Sequence, residues 1–126
     1  MWLQAHGAIQ LPSGMPSDLK FIDRLDPVVR VAIGRSIEIM NEQGGLKHGR
    51  GKDEIVQTLR LLHESGYEYD TNDLQLYAYR IGYRQRDVEQ LGKYAQSIRE
   101  NRRIVTKTER LRPDILEFWK AKAKDL

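Results

Sequence analysis

Apolar residues recur at three- and four-residue intervals in separate stretches, and most stretches have a capping residue in front and glycine or proline behind. That pattern restricts the chain to helices that each bury one face. The clearest start is Asp26-Pro27: the aspartate can cap free amides and the proline suits the first helical position. Val29, Ala32, Ile33, Ser36, Ile37 and Met40 then fall on one face, up to Gly44-Gly45. Val29, Val31 and Ile33 also alternate as in a strand, but the cap, the length and the glycine stop favour a central core helix.

The same signals recur along the chain. Ser17 and Asp18 open a short helix to Leu25 that presents Leu19, Ile22 and Leu25 inward. Asp53 caps a helix burying Ile55, Val56, Leu59 and Leu62, which Gly66 ends. Asp70 caps the next, with Asp73 at its positive end and Leu74, Tyr77, Ala78 and Ile81 on one face. After Gly82, a longer helix from about Gln85 to Asn101 buries Val88, Leu91, Ala95 and Ile98. Arg112-Pro113-Asp114 opens a last helix with Ile115, Phe118 and Trp119 inward. Residues 1–16 read as an arm, and residues 17–126 as a single helical domain. The prediction is an all-α bundle of five to six helices, packed orthogonally. A minor short β pair from residues 2–11 and 104–108 is compatible with their β-branched and apolar residues.

At 126 residues and 14.7 kDa the chain suits one domain. It has no cysteine, which excludes disulfides, thiolate metal sites and a cysteine nucleophile. No run of 18 apolar residues exists, so no spanning helix is expected. Met1 to Leu11 lacks the basic start and apolar stretch of a secretory leader, and a cytoplasmic location is expected. His6, His48 and His63 include no pair four residues apart, so no local metal pair is encoded. No serine sits in a Gly-x-Ser-x-Gly elbow. The Gly44–Lys52 stretch, GGLKHGRGK, lacks the spacing of a phosphate-binding Walker loop and reads as a mobile surface connector. Nothing assembles a nucleophile, a base and an orienting group, so no enzyme and no cofactor is expected.

The net charge of +3 conceals an asymmetry. Residues 1–79 carry −3, residues 80–112 carry +6, and residues 113–126 balance. A local basic block is the footprint of an anionic partner, nucleic acid above all, and otherwise a solvated face. The block overlaps Leu74–Lys93, LQLYAYRIGYRQRDVEQLGK. Ala78 is small where two helices would cross, Gly82 follows at the turn, and Val88 and Leu91 would pack the second helix onto the first. This spacing resembles the helix-turn-helix of DNA-binding proteins, over about 20 residues.

That resemblance implies a second helix entering the major groove. Arg84, Gln85, Arg86, Gln90 and Lys93 would face the base edges, where Arg suits guanine and Gln suits adenine. Arg99, Arg102, Arg103 and Lys107 would hold phosphate. Ile104 to Arg110 would form a wing beside the duplex. Asp87 and Glu89 bring negative charge near the same surface. All six tyrosines lie between residues 67 and 94. Most should pack, and Tyr79 and Tyr83 are expected to be the exposed ones, available to stack on unpaired bases. The alternative is a protein-interaction module or a helical subunit of a larger assembly. Its supports are the apolar arm Trp2–Leu11 and the pair Phe118-Trp119.

Overall fold

The computed structural model describes residues 20–42, 49–106 and 113–126. Among the described residues there are six helices and no strand. They are α1 (Lys20–Asp23), α2 (Pro27–Glu42), α3 (Gly49–Glu64), α4 (Thr71–Arg80), α5 (Gln85–Arg99) and α6 (Pro113–Ala123). The all-α expectation holds. Residues 2–11, where a strand was allowed, lie outside the described residues, and Ile104–Thr106 forms no strand.

Helix α2 starts as its sequence dictates. The Asp26 carboxylate accepts the Val28 N–H at 2.8 Å, and Pro27 is the first helical residue. Every residue expected on its inner face is buried. The alternating strand pattern loses because Val31 lies partly outside that face. Helix α2 packs against α3, α4 and α6, and α5 packs against α3 and α4. All buried apolar side chains fall in one core cluster, with Phe21, Ile33, Met40, Ile55, Leu59, Leu74 and Leu91 among its fully buried members.

Helix α3 differs from expectation. It begins at Gly49, so residues 49–52 of the stretch taken for a connector are helical. Extending an existing helix adds a hydrogen bond per residue without a new nucleation cost. That gain offsets the glycine penalty of about 1 kcal/mol. Helix α1 stops at Asp23, short of the expected Leu25; Phe21 within it and Leu25 just beyond it are buried, and Ile22 is half-buried. Leu19 lies outside the described residues. In α6 Trp119 is buried, but Phe118 is 43% exposed.

Three helices end in the same way. Gly66 follows α3 with φ 83°, Gly82 follows α4 with φ 106°, and Asn101 follows α5 with φ 59°. In each, the next residue's N–H reaches back five positions: Tyr67 to Leu62, Tyr83 to Ala78 and Arg102 to Ser97, at 2.8–3.0 Å. This is the Schellman arrangement, which satisfies the last carbonyls and turns the chain sharply. Glycine adopts positive φ without steric cost, and asparagine tolerates it.

Polar contacts then fasten the elements. Arg24 grips Asp73 through two bonds of 2.7 and 3.0 Å, tying the turn after α1 to the start of α4. Ser36 and Thr58 share a buried hydroxyl bond between α2 and α3. Gln75, buried in α4, donates to the Val88 carbonyl of α5 at 3.0 Å. Arg60 of α3 donates to the Ile104 carbonyl at 2.6 Å and to Thr106 at 3.1 Å.

Candidate nucleic-acid interface

The helix pair α4–α5 forms as the sequence predicts. Asp70, extended at φ −79° and ψ 130°, accepts the Asp73 N–H at 3.0 Å and so caps α4. Gly82 closes α4, and α5 opens after extended Arg84. Val88, Leu91, Ala95 and Ile98 are all buried. Gly92 of α5 lies directly against the Gln75 side chain of α4. A Cβ there would lie 2.2 Å from the Gln75 amide nitrogen. Ala78, where the spacing predicts a close crossing, is also fully buried.

The outward face of α5 carries Arg86, Gln90 and Lys93 at positions i, i+4 and i+7. At 1.5 Å rise per residue these make a stripe about 10 Å long. Arg86 and Lys93 are exposed and have no ion pair among the described residues. Gln90 is half-buried and its amide nitrogen lies 3.4 Å from the Tyr94 hydroxyl. Gln85 donates to Glu89 at 3.2 Å, while its own amide oxygen is buried without a partner.

Arg84 is exposed but engaged. Its guanidinium lies 2.9 and 3.0 Å from the carboxylate of buried Asp87. Asp87 is the third residue of α5, where the helix dipole favours an anion. Its charge is turned inward against Arg84 rather than outward toward an anionic partner. The Arg84-x-x-Asp87 spacing carried that signal, since i,i+3 pairs meet on a helix.

The expected phosphate-holding residues separate into different roles. Arg99 donates to the Thr71 hydroxyl at 2.8 Å and to the Tyr69 carbonyl at 2.7 Å, and sits over the Tyr69 ring at 5.1 Å. It clamps the end of α5 to the start of α4. Arg102 pairs with Glu100 at 3.0 Å, and Arg103 is exposed and already engaged with a partner. Lys107 lies outside the described residues. Of the expected wing, Ile104 is buried and Arg60 binds the backbone there, so residues 104–106 dock on α3. The remainder, 107–110, lies outside the described residues.

Tyr83 overturns the expectation of an exposed ring. It is only 2% exposed, and its hydroxyl points at the Met40 sulfur at 3.6 Å. Burial pushes its phenol far above the ordinary range, and the Asp87 carboxylate adds to the effect. Tyr79 is half-buried and packs on the core. Burial likewise raises Tyr69 against the opposing charge of Arg99, and raises Tyr77 against that of Arg30. The sequence missed this because Tyr83 stands at C″ of a Schellman turn, a place that directs a side chain back onto the helix it follows.

Two clefts of about 310 Å³ each lie away from the α5 stripe. One is lined by His63, Tyr67, Glu68, Tyr69 and Arg99. The other lies between α2 and α6. No cluster of three or more metal-ligating side chains occurs among the described residues. No described helix is long and apolar enough to cross a membrane.

The fold and this surface define a small helical-bundle domain. The chain belongs to the family described as domain of unknown function DUF1889, whose model matches residues 25–120. That span covers the core from Leu25 through Trp119, including the α4–α5 pair. No curated protein and no solved structure matches the chain.

Proposed function

We propose that the protein binds nucleic acid, double-stranded DNA in the first place, through the outward face of α5. The observation that carries this reading is the stripe Arg86–Gln90–Lys93. Two exposed cations flank an amide on the second helix of a tightly turned pair, and neither cation pairs with an acid among the described residues. An α-helix fits the major groove, where arginine reads guanine and glutamine reads adenine. Arg84 and Arg99 support this surface by holding α5 in place. The role in this reading is one of binding rather than catalysis, in a cytoplasmic protein.

The test is fluorescence anisotropy with labelled duplex and single-stranded DNA of mixed sequence at two salt concentrations. Arg86→Ala with Lys93→Ala should weaken duplex binding and reduce its salt dependence, because two positive charges leave the face set against the polyanion. Binding unchanged in that double variant sinks the assignment of α5. No binding of the parent chain at low salt sinks nucleic acid as the partner and leaves the helical-subunit alternative.

A further inference from the structure

Helix α2 contains a glycine that its own geometry does not require. Gly34 is in the helix interior, where glycine costs about 1 kcal/mol relative to alanine. Its φ is not positive, and an added Cβ would meet only the Ile81 side chain, at an ordinary 3.9 Å. Gly92 is the contrast, since a Cβ there collides with Gln75. What Gly34 does is leave open the floor of the α2–α6 cleft, which it lines with Val31 and Tyr77. Phe118 and Leu126 form the facing wall, both exposed.

The charge in this cleft is net positive. Arg30, Arg35 and Lys122 outnumber the acids that line it, Glu38, which is paired with Arg35 at 3.3 Å, and the carboxylate that Leu126 carries. Lys122 lies over the Phe118 ring at 5.6 Å. Arg30 is half-buried, and its Nε is buried with no acceptor. That one nitrogen has lost water without gaining an acceptor, and an anion in the cleft would give the guanidinium a charge partner. An apolar floor with a few converging polar groups is the general form of a small-molecule site.

We propose that the α2–α6 cleft binds a small carboxylate with an apolar body, the carboxylate on Arg30 and Lys122 and the body between Val31, Gly34 and Phe118. The site is on a different helix face from the α5 stripe and stands independently of it. The test is NMR of the full chain, isotopically labelled, titrated with 3-phenylpropionate and octanoate and, as a neutral control, 3-phenylpropionamide. Backbone amide shifts should concentrate at residues 30–38, 77 and 118–126. The amide should bind about tenfold more weakly than the acid, the size of one charge-assisted contact. Arg30→Gln should lose a similar factor. Gly34→Leu should fill the floor and abolish the shifts while the melting temperature is kept. If Arg30→Gln fails to fold, Lys122→Gln takes its place in the same comparison. Shifts absent from this cleft, equal binding of acid and amide, or undiminished affinity in the cation variants would each overturn the proposal.

Discussion

Glycine at positions 34, 82 and 92 answers to three different demands, and substitution separates them. Gly82 holds φ 106° at the α4 stop, so Gly82→Val should destabilise the fold by roughly 2 kcal/mol or more, because a β-branched residue resists that conformation. Nothing lies within 4 Å of its Cβ position, so the cost is backbone strain alone. Gly92→Ala should cost about 1–3 kcal/mol by a different route, forcing Gln75 away from the Val88 carbonyl. Gly34→Ala should raise stability by about 0.5–1 kcal/mol. Asn101→Gly should also stabilise slightly, by a few tenths of a kcal/mol, since glycine takes φ 59° more readily. Urea unfolding of the four variants, followed by circular dichroism, checks the signs together. Gly66 and Gly82 were legible as stops from the sequence. Gly92 was not, because its reason is a glutamine 17 positions earlier, and separation in sequence hides contacts between helices.

At the scale of helices, apolar spacing predicts most of the inner faces that the core buries. Helices α2, α3 and α5 obey that rule. Helix α4 departs from it: Leu76 and Gln75 are buried, while Ile81 at its end is 39% exposed. Leu76 and Gln75 lie off the Leu74–Tyr77–Ala78–Ile81 stripe, so the buried arc of α4 is wider than its apolar spacing predicts. The candidate interface was legible as a face but not as a set of free charges. Arg84 and Arg86 are alike in sequence, yet one is spent on Asp87. Arg84→Ala should therefore cost about 1–2 kcal/mol of stability by unpairing a buried carboxylate, whereas Arg86→Ala should leave stability within about 0.5 kcal/mol. Equal melting temperatures for the two variants would remove the supporting role given to Arg84.

For the molecule as a whole, alkaline pH is the informative stress. Tyr69, Tyr77 and Tyr83 all have phenols raised above the ordinary 10.0 by burial. The unfolded chain releases these protons near pH 10 while the folded chain keeps them. Stability is thus unaffected below that value and falls progressively as pH rises above it. Tyr83→Phe should flatten the fall, measured as urea unfolding between pH 9 and 11, and an unchanged slope would contradict the burial of its hydroxyl. None of this was visible in the sequence, where Tyr83 beside Arg84 looked like an exposed stacking pair. Burial is a property of the assembled core: Met40, which meets the Tyr83 hydroxyl, stands 43 positions earlier in the chain.

The Arg60 clasp on Ile104 and Thr106 acts as a latch. One guanidinium holds residues 104–106 against α3 through two bonds and shuts Ile104 into the core, so the segment is latched at a single point. A stretch held by so few bonds opens locally, without global unfolding. Arg60→Ala should speed amide exchange at residues 104–106 by about tenfold, the size of one charge-assisted contact, with α5 unaffected. Exchange there that stays as slow as in the parent chain would show that burial of Ile104 alone keeps the latch shut.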